Sequence, residues 1–247
     1  MRTRTLAAAL LCCLLCACVT GGADSEDLAE ATELSPQRRL ELARAAHSAD
    51  PDDPQANLDL ARALTSLERP DWRRAEAPAR VAFDSGELDA PAGRILGKIY
   101  WEIGDPIETV SCWRAARAAD PTSVRDSDFL YALRSAITTA TTFHRYDVAL
   151  PLRYELLDFV EAHHGDLEDG TVEIHDLDDV DDLIQSVSPD AFTTAFSDYV
   201  RFATEEGTRD DAVAFLTDLS RTREDPDDPI HAFVRDEAER KAREDAE

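Results

Sequence analysis

Residues 90–105 read APAGRILGKIYWEIGD, and the chain continues through Trp113 and Ala116 to Asp120-Pro121. Leu96 and Tyr100 are four apart and share one face of a helix. Gly97, between them, has no side chain and lets a neighbouring helix approach closely. Gly104 suits the left-handed position that closes a helix. Trp113 and Ala116 then face back from a second helix. Pro121 ends that helix, because it lacks a backbone N–H and clashes with the preceding turn. A hairpin of this kind cannot bury its apolar face alone, so copies are expected on both sides.

The copies are legible upstream. Leu60, Ala61 and Leu64 precede Leu96, Gly97 and Tyr100 by 36 residues (60 to 96, 61 to 97, 64 to 100). Trp72 opens the second helix of that unit, which carries Ala75, Ala79, Val81 and Ala82. Further back, Ala43, Ala46 and Pro51 precede Trp113, Ala116 and Pro121 by 70 residues (43 to 113, 46 to 116, 51 to 121). A helix opened by Ser35 as N-cap and Pro36 at the first helical position is therefore the second half of an incomplete first unit. Downstream, Asp126–Thr142 with Phe129, Leu133, Ile137 and Ala140 on one stripe, and 146–163 as its partner, form a longer, diverged hairpin. The string Asp-Pro-Asp-Asp-Pro occurs at 50–54 and again at 225–229, each time between helices.

Leu96-Gly97-x-x-Tyr100, Trp113, Ala116 and Pro121 together resemble the 34-residue tetratricopeptide pattern, in which Leu-Gly-x-x-Tyr marks the first helix and Pro the exit turn. The resemblance implies an all-α fold, an α-solenoid of antiparallel helical hairpins, over 35–163. In that family the first helices of successive repeats line a groove that takes a peptide. Carried onto this chain, the groove residues are Leu58, Arg62, Arg94, Lys98 and Trp101. Arg94 and Lys98 are four apart, and Arg62 precedes Lys98 by the repeat period, so three cations could grip a carboxylate on an acidic protein. They do not reproduce the Lys/Asn pattern of repeats that clamp C-terminal carboxylates. Solvated or locally paired helix cations are the competing account of the same residues.

The N-terminus carries a different signal. Arg2 and Arg4 precede a short apolar run that ends near Ala17, the anatomy of a secretory signal peptide over 1–17. Leu15-Cys16-Ala17-Cys18 resembles a bacterial lipobox. On that resemblance Cys18 carries lipid and becomes the first residue of the mature chain. Residue 19 is Val rather than the Asp of an inner-membrane retention signal, which implies the periplasmic face of an outer membrane. Residues 18–34, with Gly21-Gly22 and scattered acids, read as a flexible tether. Cys112 beside Trp113 reads as a small buried hydrophobe, not half of a disulfide framework.

Beyond 163 the repeat loosens. Residues 164–175, with two glycines, read as a loop and the internal boundary. Residues 176–247 read as a helical C-terminal region: Leu177, Val180, Leu183, Ile184 and Val187 recur at helical spacing. Ser188-Pro189 opens a helix that Gly207 ends, a further helix follows, and the last helix turns wholly charged, as the cap of a repeat array must.

The composition narrows the chemistry. The chain has 247 residues, with 52 acidic against 26 basic side chains and a formal charge of −26, which repels nucleic acid. No GxSxG, phosphate-binding glycine loop or HExxH occurs, so neither an enzyme nor a cofactor site is expected. The Asp run 176–182 lacks the spacing and glycine of a calcium loop and fits the solvated side of a helix. The expected function is therefore a membrane-tethered, non-enzymatic scaffold of the cell envelope that binds a protein or peptide. The alternative is an envelope enzyme or metal-binding protein using His163, His164, His175 and the acids of 163–182.

Overall fold

A computed structural model describes residues 34–172 and 180–246. The signal peptide, Cys18, all but the last residue of the tether, His175, and the acids Asp176, Asp178 and Asp179 lie outside the described residues. Among the described residues the chain is wholly helical, with twelve helices and no strand. They are α1 (Pro36–Ala49), α2 (Pro54–Thr65), α3 (Trp72–Asp84), α4 (Asp89–Ile103), α5 (Pro106–Ala119), α6 (Asp126–Thr142), α7 (Tyr146–Ala162), α8 (His164–Glu168), α9 (Val180–Ser186), α10 (Pro189–Glu205), α11 (Arg209–Ser220) and α12 (Pro229–Glu244).

Local chemistry sets the helix starts. Ser35, Asp53, Asp71, Asp105, Ser188 and Asp228 each accept a backbone N–H of the first turn with a side-chain oxygen. Each bond satisfies one of the donors that a helix start leaves unpaired. Five of these six helices, α3 excepted, carry Pro at the start, where its missing N–H costs nothing. The repeated Asp-Pro-Asp-Asp-Pro string folds the same way twice. Asp53 N–H donates to the Asp50 carbonyl and Asp228 N–H to the Asp225 carbonyl, and Asp53 and Asp228 then cap α2 and α12. The 70-residue offset also holds at the helix ends. Asp50 and Asp120 close α1 and α5 in matching extended conformations, donating to Ala46 and Ala116.

From α1 to α7 each helix packs on the next, giving an all-α, solenoid-like stack of consecutive pairs. The α4–α5 hairpin is its tightest unit. Leu96, Tyr100, Trp113 and Ala116 are all buried, as the sequence pattern predicts. Gly97 is needed because the Trp113 indole lies on it: a Cβ there would stand 2.2 Å from Trp113 Cδ1. The indole Nε1–H donates to the Arg94 carbonyl at 3.2 Å, so its polar edge is met inside the packing. Gly104 ends α4 with φ +87°, the left-handed region. The Tyr100 hydroxyl lies between Arg80 and Glu76 of α3, which joins this hairpin to the preceding one.

The sequence predicts a loop over 164–175, of which 164–172 are described. The short helix α8 forms there, and Leu167 and Val172 are buried in the same core that spans α5 to α12. Two apolar side chains at this spacing can be shielded if the segment folds back over α7, and burial outweighs the loop-like composition. Helix α10 then runs antiparallel along α7. Tyr146 stacks on Tyr199 at 5.3 Å and Tyr154 meets Phe192 at 4.4 Å, so an aromatic layer fills the gap between the two helices. Helix α12 covers α10 and α11, with Ile230 buried, Phe233 against Phe196, and its C-terminal half exposed. In the second hairpin Val81 turns outward, 42% exposed, while Ala75, Ala79 and Ala82 face in.

Candidate functional site

The first helices α2, α4 and α6 form one row of the stack. Contacts skip a helix along this row: α2 touches α4, and Trp101 of α4 meets Tyr131 of α6 at 5.0 Å. On α4, positions 94, 98 and 101 follow one another at four and three residues and share a stripe. Arg94 and Lys98 are exposed on it, and Trp101 is half-buried.

Trp101 is held from behind. Its ring stacks on Trp113 at 6.4 Å between centroids and 20° between planes, while Tyr131 tilts against it. A half-buried aromatic fixed on two sides presents apolar area at little cost in side-chain freedom. Tyr131 escapes a sequence reading because it lies off the apolar stripe of α6 marked by Phe129, Leu133 and Ile137. The only trace is its position beside the stripe.

The three cations are not equivalent. Lys98 Nζ lies 2.6 Å from Glu102, one turn on in the same helix. Arg62 lies 3.6 Å from Asp59 on α2, a longer and half-exposed pair. Both are thus balanced within their own helices, in pairs that contribute about 0–1 kcal/mol. Arg94 makes no ion pair with a described residue, and it borders a depression of about 290 Å³ with Ala90, Pro91, Asp120, Thr122 and Ser123. Local pairing therefore accounts for two of the three cations, and Arg94 alone of them has no ion pair with a described residue.

Leu58 corrects the expectation for the groove. It is 1% exposed and packs with Ala82 and Ala92, with Phe83, Leu88 and Ile95 around it. The small side chains of α3 and α4 leave room for a leucine, so α2 turns Leu58 into the hairpin core and away from the exposed stripe. Its burial serves stability.

The His and Asp region gathers no site among the described residues. The His163 ring stacks on Phe159 at 4.2 Å, with Nδ1 2.9 Å from the Phe159 carbonyl and Nε2 3.9 Å from Asp126. His164 instead faces Glu168 at 3.6 Å. Adjacent histidines thus take separate partners. Among the described residues no group of three or more His, Cys, Asp or Glu side chains is placed to hold a metal ion. Cys112 is buried, and burial, with Glu108 beside it, pushes its thiol up to about 12. A thiol so shifted is a poor nucleophile at neutral pH.

A polar cluster that sequence reading does not anticipate lies where α7 meets the start of α12. The Tyr154 hydroxyl donates to buried Asp228 Oδ1 at 2.7 Å, the same oxygen that caps α12. Arg223 covers the Tyr154 ring at 4.4 Å and reaches Asp228 Oδ2 and Asp158. Burial and the Asp228 carboxylate both push the Tyr154 phenol upward, so it stays a donor. Every group of this cluster is satisfied within the fold, which makes it a fastening for α12.

Among the described residues no helix is long and apolar enough to cross a membrane. No family model matches the chain, and no curated protein matches it in sequence.

Proposed function

We propose that the chain is a membrane-tethered, non-enzymatic scaffold of the cell envelope, anchored through a lipidated Cys18 and built on tetratricopeptide-like repeats. Its partner is a protein or peptide, bound on the row of α2, α4 and α6. The observation that carries this proposal is the α4 stripe: exposed Arg94 and Lys98 beside half-buried Trp101, itself fixed between Trp113 and Tyr131. Aromatic and Arg side chains held in place are the usual anchors of protein recognition. The overall charge of −26 disfavours nucleic acid and long-range attraction of acidic partners, so binding is decided at contact distance.

Capture from envelope extracts tests the proposal. The wild-type chain should retain a partner that a Trp101→Ala, Lys98→Glu double variant loses, with the helical content of the variant unchanged. Equal capture by both chains would move the binding surface elsewhere. Failure of the wild type to retain anything above a charge-matched control protein would remove the scaffold function itself.

A further inference from the structure

We propose that the α6–α7 turn and the facing end of α10 form a second interaction surface, which takes an arginine-bearing basic segment of a partner protein. It is separate from the row of α2, α4 and α6 and does not depend on it.

The turn holds a large apolar side chain out of the core. Phe143 follows α6 and is 70% exposed, where Leu34, Val81 and Ile184, the other exposed large apolar side chains, lie between 36% and 42%. His144 comes next with φ +54°, the one non-glycine residue with positive φ among the described residues. Its N–H donates to the Thr141 carbonyl and the Arg145 N–H to the Ala140 carbonyl, which closes the helix end. Glycine makes such a turn without strain. Here a histidine makes it, and its imidazole stacks on Phe202 of α10 at 4.4 Å between centroids and 13° between planes. Tyr146 adjoins the pair, 6.1 Å from the His144 ring and 6.0 Å from Phe202. The stack fixes the turn against α10, with Phe143 in solvent beside it.

Carboxylates frame this aromatic group. On α10, positions 198, 202, 205 and 206 share a stripe, so Asp198 lies one turn before Phe202 and Glu205 and Glu206 one turn after it. Asp147 stands in the first turn of α7. Asp198 is taken up by Arg201 at 2.7 Å. Asp147, Glu205 and Glu206 are exposed and make no ion pair with a described residue. Arg145 is exposed at the same end, and the carboxylates exceed the cations there.

An arginine fits both parts of this surface. Its planar guanidinium lies flat on an aromatic face, and its fork of N–H donors meets a carboxylate. Phe143 and His144 offer the rings, and Glu205 and Glu206 the acceptors. The chain's charge of −26 draws a basic segment in from a distance and opposes acidic partners and anionic lipid. The exposed ring adds what the diffuse charge lacks, a contact that fixes where the segment sits.

The test titrates the full-length chain with N-acetyl-Gly-Arg-Ala-Arg-Gly-amide and with the same peptide carrying citrulline for both arginines, which keeps the plane and removes the charge. NMR at the His144 ring Cε1–H, assigned by its loss in His144→Gly, follows binding. The arginine peptide should shift that signal at millimolar concentration, and the citrulline peptide should bind at least tenfold more weakly. Phe143→Ala and the Glu205→Gln, Glu206→Gln double variant replace exposed side chains, so each should keep its helical content and weaken the arginine peptide at least fivefold. The Trp101→Ala, Lys98→Glu chain should bind the peptide as wild type does, which separates this surface from the row. Equal shifts from the two peptides, no shift from either, or a Phe143→Ala chain binding within twofold of wild type would each overturn the surface. So would self-association of the wild-type chain that Phe143→Ala abolishes. Binding of a Cys18→Ser chain to phosphatidylcholine vesicles that Phe143→Ala abolishes would do the same, since either result gives Phe143 another occupant.

Discussion

Replacing Gly97 with alanine separates tertiary packing from helix propensity, because the two predict opposite signs. A mid-helix Gly→Ala change normally stabilises by about 1 kcal/mol. Here the added Cβ would lie 2.2 Å from Trp113 Cδ1 and 2.4 Å from Nε1. Helix α4 is packed between α3 and α5, so the indole must give way. Overfilling of this kind costs about 1–3 kcal/mol. A displaced indole also loses its bond to the Arg94 carbonyl, a further 1–2 kcal/mol or so for a buried donor left short. Subtracting the propensity gain leaves a net destabilisation of about 1–4 kcal/mol, a fall of about 2–16 °C in melting temperature for a chain of this size. Circular dichroism melts give the stability, and tryptophan emission reports the displaced ring. Gly104→Ala is the control. It has φ +87° with open space around it, so it should cost only the left-handed backbone term, about 1 kcal/mol, and leave the emission unchanged. Adding Trp113→Ala to Gly97→Ala should cost less than the sum of the single changes, since the clash then has no second partner. A Gly97→Ala chain as stable as wild type, or more so, would refute the close packing of this hairpin.

Three other outcomes follow from particular contacts. Tyr154→Phe removes the hydroxyl that donates to Asp228 and should cost about 1–3 kcal/mol, with faster amide exchange in the first turn of α12 and little change in α2 to α5. The Cys112 thiol titrates near 9 when exposed and near 12 when folded, so the folded state holds the proton more tightly. Its contribution is present in full below pH 9 and is lost as pH rises towards 12, by up to about 1.4 kcal/mol per unit. Cys112→Ala should flatten stability across that window, and the native thiol should resist iodoacetamide at pH 8 until the chain is denatured. Cys18→Ser should abolish lipid labelling and release the chain from membranes. Retention of the unlabelled variant in high salt would count against the anchor.

Much of the local architecture is legible from residues alone. Ser35 and Ser188 announce helix starts because a cap is a bond between neighbours in sequence. The burial of Tyr100 and Trp113 follows from their spacing against Leu96 and Ala116. The candidate face was only half legible. Arg94, Lys98 and Trp101 share a stripe by helical geometry, but Leu58, placed beside them by the repeat period, is drawn inward by Ala82 and Ala92. Those alanines belong to other helices, and nothing around Leu58 in sequence signals their proximity.

The sequence by itself determined that this chain is helical, where most of its helices begin and end, and that its hairpins must stack to bury their apolar faces. These outcomes depend on backbone chemistry within a few residues and on a period that any segment carries with it. The tertiary structure decided which side chains compete for the same space. It forms α8 within a predicted loop, against α7, and lays α10 along α7 through an aromatic layer. It fixes Trp101 between Trp113 and Tyr131, neutralises Lys98 through Glu102, and sets Arg94 near Ser123 with no ion pair to a described residue. Apart from the Lys98 pair, each of these depends on residues far apart in the chain, and their meeting is set by how whole helices pack.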